Sequence, residues 1–231
     1  MSYAIVLLFF IMGESIFPQV DKYVADRNNM IKIQIIDRGI TNAATLRAMK
    51  KVPRHLFVPK EYENDAYGDY PLPIGYGQTI SQPYIVAFMT EVVKPTEKKK
   101  ALEIGTGSGY QAAVLAEIVD TVYSIEIIPE LSNESAMRLN RLGYNNIFIK
   151  SGDGYNGWPE HAPFDIIIVT AAADEIPKPL IDQLAENGRL VIPVGKAGAI
   201  QELMLLVKKN GKIEESRLTF VRFVPFKRSE I

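Results

Sequence analysis

Apolar and polar positions in this chain change period several times, and the changes mark out its elements. Residues 101–104 form a short apolar strand, and a helix-period run follows over 110–118. Strand 122–125 leads to a helix opened by Pro129, running to about Leu142 and closed by Gly143. Strands at 147–150 and 164–170 come next. The unbroken apolar stretch 166–169 suits a central parallel strand buried on both faces. A helix at 177–185, an Asn187-Gly188 turn and a strand at 189–193 complete the alternation. Segments 202–208 and 218–224 then pair around Asn210-Gly211 as an antiparallel end to the sheet.

This alternation predicts an α/β fold with a doubly wound, mostly parallel, Rossmann-like sheet and ligands at the C-terminal ends of its strands. Ahead of it, 21–60 reads as an amphipathic helical region with Ile31, Ile35 and Ile36 on one face. Thr41-Asn42 caps a second helix carrying Leu46 and Met49. Residues 70–84 are so rich in Pro, Gly and Tyr that neither strand nor helix is predicted. A helix over 82–93 follows, with Ser81 where an N-cap belongs and Pro83 in the first turn. On sequence physics alone, capping is the favoured role for Ser81. The chain thus divides into an apolar start at 1–20, a helical N-terminal region with a loop at 21–98, and a sheet-bearing core at 99–231.

The chemistry concentrates between strand 101–104 and helix 110–118. Glu103 lies inside the strand, and Gly105, Gly107 and Gly109 follow at alternate positions. Glycine lets a backbone turn sharply and approach a ligand where a Cβ would intrude, and the helix N-terminus offers free N–H groups to an anion. The dinucleotide pattern G-x-G-x-x-G fails from Gly105 because position 110 is Tyr. It can be forced from Gly107 only as far as Ala112, and no Lys-Ser or Lys-Thr closes a P-loop. A second acid, Glu126, ends the next strand about 20 residues on, where ribose hydroxyls are bound. Acid, three alternate glycines and strand-end acid together resemble the motif of the S-adenosylmethionine-dependent methyltransferases.

Composition narrows the field. The 231 residues are 47% hydrophobic with a net charge of −1, so nothing suggests an electrostatic grip on nucleic acid. Without cysteine, disulfides and thiolate catalysis are excluded. Two histidines, His55 and His161, make a histidine metal cluster or triad improbable, and each reads as an ordinary surface or cap residue. The apolar run at 3–12 is too short to span a bilayer. It leaves three readings open: a secretory segment, an anchor, or an extension upstream of a start at Met30. A cytoplasmic location is expected, with export the alternative, and oligomeric state is open.

Over about 30–228 the chain further resembles the protein-L-isoaspartate O-methyltransferase family. The resemblance rests on Val52-Pro-Arg-His-Leu-Phe-Val58, Gly77-Gln-Thr-Ile-Ser-Gln-Pro-Tyr84, Leu102-Glu-Ile-Gly-Thr-Gly-Ser-Gly-Tyr110, Gly152-Asp-Gly154, Ala162-Pro-Phe-Asp-Ile-Ile-Ile-Val-Thr-Ala-Ala172, Arg189-Leu-Val-Ile-Pro-Val-Gly195 and Val221-Arg-Phe-Val-Pro225. It implies methyl transfer from S-adenosylmethionine to the α-carboxylate of L-isoaspartyl residues in damaged proteins and peptides, leaving S-adenosyl-L-homocysteine. The resulting ester closes to a succinimide that partly reopens as aspartate. It further implies that Ser81 orients the substrate carboxylate, with Arg222 less securely beside the peptide. The implied cofactor contacts are Thr79, Ile80, Ser81, Glu103, Gly105, Thr106, Gly107, Gly109, Glu126, Ile127, Asp153 and Gly154. For Asp153-Gly154 a β-turn is an equal alternative, and Tyr76 and Trp158 are expected to pack. Three rivals stay open: a methyltransferase of another acceptor class, a nicotinamide-dependent oxidoreductase, and a non-catalytic cofactor-binding protein.

Overall fold

The structure, a computed structural model, describes residues 21–229; the apolar run at 3–12 lies outside them. The N-terminal region is helical but broken. Helix α1 (Val24–Asn29) passes into a π-helical turn, Met30–Ile35, and a 3-10 turn, Ile36–Arg38, before α2 (Ala43–Lys51). The Asn42 side chain caps α2 by accepting from Thr45 N at 2.9 Å, as expected. Ile31 and Ile35 are buried, but Ile36 is exposed. The wider π turn shifts the face that a regular helix would keep in line.

The segment read as pure loop contains a hairpin, β1 (Leu72–Gly75) and β2 (Gln78–Ile80), paired antiparallel. Proline is tolerated there because the pair stands apart as a two-stranded sheet, and its turn uses positive φ at Gly75, Tyr76 and Gly77. Tyr76 is therefore exposed at the tip instead of packed. Helix α3 (Pro83–Val92) begins one residue later than predicted: its N-cap is Gln82, and no side chain caps it. Ser81 is released from the capping role.

The main sheet comprises β3 (Lys100–Ile104), β4 (Thr121–Glu126), β5 (Ile147–Ser151), β6 (Phe164–Val169), β7 (Leu184–Val194), β8 (Gln201–Lys209) and β9 (Lys212–Val221). Helices α4 (Tyr110–Ala116), α5 (Pro129–Arg141) and α6 (Lys178–Asp182) connect the parallel part. Strand order is β5-β4-β3-β6-β7-β8-β9, antiparallel only at β7-β8-β9. Alternate residues of β6 feed opposite faces: Ile166 and Ile168 join the core that includes Met30, Met49 and Phe57, while Ile167 and Val169 join Leu102, Phe164 and Leu190. All four are fully buried, each contributing roughly 1.5–3 kcal/mol of transfer free energy. The N-terminal region therefore shares the sheet's core.

The boundaries around β7 and β9 differ from expectation. Helix α6 stops at Asp182 because β7 already starts at Leu184; Asn187-Gly188 forms a bulge inside that strand, where the pairing jumps from Phe164↔Leu184 to Ile166↔Arg189. Strand β9 starts at Lys212, directly after the Asn210-Gly211 turn and six residues before the expected 218, and ends at Val221, leaving 222–229 as a strap across the sheet's C-terminal edge. Ala172 N donates to Val224 O and Phe226 N to Ala172 O, both at 2.8 Å. Neither histidine is a plain surface group. His55 Nδ1 lies 2.8 Å from the Tyr67 hydroxyl, and His161 stacks on Tyr123. Trp158 does pack, edge-on to Tyr123.

Candidate active site

Strand order reverses between β3 and β6, each of which pairs with its own outer neighbour, and this opens a crevice at their carboxyl ends. Gly105 follows β3 there, Glu126 ends β4, and Thr170 follows β6. The Thr170 hydroxyl donates to Gly105 O at 2.6 Å, tying the loop to the neighbouring strand. A Cβ at Gly105 would stand 2.4 Å from Thr170 Oγ1, and one at Gly154 would stand 2.4 Å from Ile104 Cγ2. Gly105 also has φ +93, so it is fixed twice over. Gly109 serves the next helix as its left-handed N-cap and lies outside the cavities described below.

Three adjoining cavities share this edge. The first is a cleft lined by Gly105, Gly107, Glu126, Ile127 and Gly154, and walled on one side by strap residues 224–227. Glu126 is almost fully buried. Its carboxylate accepts from Gly107 N at 2.7 Å and Ile128 N at 3.0 Å, which holds the loop and leaves a lone pair on each oxygen for a hydroxyl donor. The second is a small cavity lined by Ile80, Ser81, Glu103, Thr106 and the glycine loop. The third is open and large, roughly 590 Å³, and holds Ser81 and Arg222 on its walls. Thr79 and Thr170 line all three, and Val224 lines the first and third.

Glu103 sits at the base of the small cavity with no exposure to solvent. Burial pushes its carboxyl up to about 8, and nearby Glu126 adds to the rise against the hydrogen bond from Ser124. Ser124 in turn lies 2.6 Å from Thr106 Oγ1, so strand acid and glycine loop are joined through two hydroxyls. Glu103 Oε1 is buried without a hydrogen-bond partner.

Asp153 has a structural role in the turn that follows it. It caps the 3-10 turn Gly154–Asn156 by accepting from Tyr155 N at 2.9 Å, and its other oxygen accepts from Arg228 Nε at 2.8 Å. Arg228 also lies over the Tyr155 ring, 3.6 Å from its centroid. Burial favours the neutral acid, but the bonds from Arg228, Tyr155 N and Ser229 N outweigh it and hold Asp153 below the usual carboxylate range. Gly154 lines the cleft, whereas the Asp153 side chain fastens the strap.

Sequence reasoning passed over Thr170 and the strap residues 224–227. Thr170 was findable, since the rule that placed Glu126 at a strand end applies equally to β6. The strap has no period to detect. Among the described residues no cluster of His, Asp and Glu could hold a metal ion, and no helix is long and apolar enough to cross a membrane.

The chain is similar to known proteins over nearly its whole length. A family model, protein-L-isoaspartate(D-aspartate) O-methyltransferase, matches residues 25–230. A protein-L-isoaspartate O-methyltransferase of Opitutus terrae is 56% identical over 89% of this chain and 88% of its own, and one from Gloeobacter violaceus is 55% identical over 87% and 98%. A Plasmodium falciparum crystal structure, assigned to the same activity and solved in complex with S-adenosyl-L-homocysteine, is 30% identical with a TM-score of 0.74. It covers 90% of this chain and 99% of that one.

Proposed function

The chain belongs to the protein-L-isoaspartate(D-aspartate) O-methyltransferase family, and from that premise we propose how its three cavities divide the work. The reaction moves a methyl group from S-adenosylmethionine to the free α-carboxylate of an L-isoaspartyl residue, and the ester initiates succinimide-mediated return to aspartate.

The residues present fit the cofactor. The cleft presents glycine backbone, so the chain can approach a bound ligand closely, and Glu126 retains acceptor capacity for ribose hydroxyls. The unpartnered Glu103 Oε1 is suited to receive the cofactor's ammonium, since a buried acceptor left unmade is costly. Bound there, the sulfonium supplies an electrophilic methyl group. Ile127 and Gly154 give the adenine its wall, while Asp153 acts indirectly, through the turn and the strap.

The acceptor needs no general base, because a carboxylate is already ionised at neutral pH. The third cavity provides what such a nucleophile lacks, which is orientation. Ser81 offers a hydroxyl donor and Arg222 a positive charge on the same wall system. The single observation that carries this reading is the shared boundary: Thr79 and Thr170 line both the cofactor cleft and the cavity holding Ser81 and Arg222.

The test is methyl transfer from labelled S-adenosylmethionine to a short L-isoaspartyl peptide, beside its aspartyl counterpart. Wild type should label the isoaspartyl peptide alone. Ser81→Ala should lose on the order of 10²-fold, the usual cost of one positioned donor. Labelling of neither peptide, despite cofactor binding, would refute the reading and favour another acceptor.

A further inference from the structure

We propose that the acceptor cavity contains an apolar subsite, built by Ile200 and Phe220, that selects isoaspartyl residues flanked by a large apolar side chain. The proposal rests on the reading of this cavity as the isoaspartyl site. Ile200 and Phe220 are 59% and 63% exposed and line the same cavity as Ser81 and Arg222. Ile85 of α3 adds a third apolar side chain to that lining.

Their exposure is unfavourable unless something covers them. Phe220 stands on β9, the last strand of the sheet, where an exposed aromatic invites unwanted edge pairing. The surroundings guard against this. Arg217 lies 5.5 Å from the Phe220 ring centroid and pairs with Glu202, the residue opposite Phe220 on β8, at 2.9 Å. Charge thus brackets the ring on the strand, while the ring itself remains part of the cavity wall.

The cavity's size indicates the occupant. Roughly 590 Å³ falls in the range of about 300–1,000 Å³ that holds a whole drug-sized ligand, far more than one carboxylate and its methylene. Side chains along an extended peptide are spaced by about 3.3 Å per residue. With the isoaspartyl carboxylate at Ser81, a neighbouring side chain falls within the same space. Walls of Ile and Phe reward an apolar neighbour and offer a polar one nothing.

The experiment compares isoaspartyl peptides whose neighbouring residues are Leu or Phe with otherwise identical Ser and Gly peptides. It reads kcat/KM for wild type, Phe220→Ser and the Ile200→Ser/Phe220→Ser double variant, with cofactor binding by calorimetry confirming that each variant is folded. Wild type should favour the apolar peptides by about tenfold, and the double variant should close that gap to within about twofold. A wild type indifferent to the neighbour, or a preference that survives in the folded double variant, overturns the proposal and leaves the reaction intact. A wild type that methylates no isoaspartyl peptide overturns the reading of the cavity, and the subsite with it.

Discussion

Glu103 shows how much one position can hide in a sequence. As an acid before a glycine loop it was expected to contact the cofactor, and its depth could not be read, because burial comes from β4, β6 and the loop folding over it. With its carboxyl at about 8, it is largely protonated at neutral pH in the free protein. The ammonium proposed to sit at Oε1 would favour the ionised form, so cofactor binding there would expel that proton. Affinity for S-adenosyl-L-homocysteine should therefore rise with pH from 6 to 8, by up to about tenfold per unit, and level off above 8. Calorimetry across that range, beside Glu103→Gln, is the check; an equally steep profile in the variant would exclude Glu103. The stability sign follows from the same shift. The folded pKa lies above the ordinary 4.5, so the contribution is whole below about 4.5 and is lost as pH rises toward 8. Ligand-free protein should accordingly melt lower at pH 8.5 than Glu103→Gln does relative to its own value at pH 6.

The periodic elements were legible because each repeats its signal several times: the five strands β3, β4, β5, β6 and β8 and the helices α4 and α5 lie within two residues of expectation. What failed was short or aperiodic. The β1-β2 hairpin spans four and three residues, too few to show alternation. Ile36 was misplaced by one π turn, and Ser81 by a cap that falls on Gln82. The strap is held by two backbone bonds to Ala172 and by Arg228 on Asp153, contacts that no local pattern predicts. Arg228 is 45% exposed, and pairs of this kind contribute about 0–1 kcal/mol. Arg228→Gln should thus weaken S-adenosyl-L-homocysteine binding by a factor of about two to five, mainly through faster release, with little change in Tm. Stopped-flow displacement measures it, and unchanged release would show that the strap is fastened elsewhere. Because Asp153 is held below 3.8, the fastening persists above the ordinary carboxylate range and is lost only as pH falls through the lowered value.

At the scale of the molecule, the chain carries the chemistry it repairs. Asn156, Asn187 and Asn210 each precede glycine, the context in which the succinimide-forming N–H is least hindered. The fold treats the three differently. Gly157 is buried with its amide on Gly154 O, and Asn156 O accepts from Gln183 Nε2 at 2.8 Å. Gly188 is buried inside the β7 bulge. Asn210 and Gly211 are both exposed at the tip of the β8-β9 hairpin, where the Gly211 amide donates to the exposed Glu186 carboxylate at 3.1 Å, a solvent-accessible bond that opens more readily than the buried one at Gly157. Protein aged at 37 °C should therefore gain isoaspartate at Asn210 first, seen by peptide mapping, and should accept label from fresh enzyme. Absence of label would remove the idea. The strap has one more consequence, which lies in the order of synthesis. Every strand of the sheet precedes it in the chain, so the wall at 224–227 is the last part of the cleft to be synthesised.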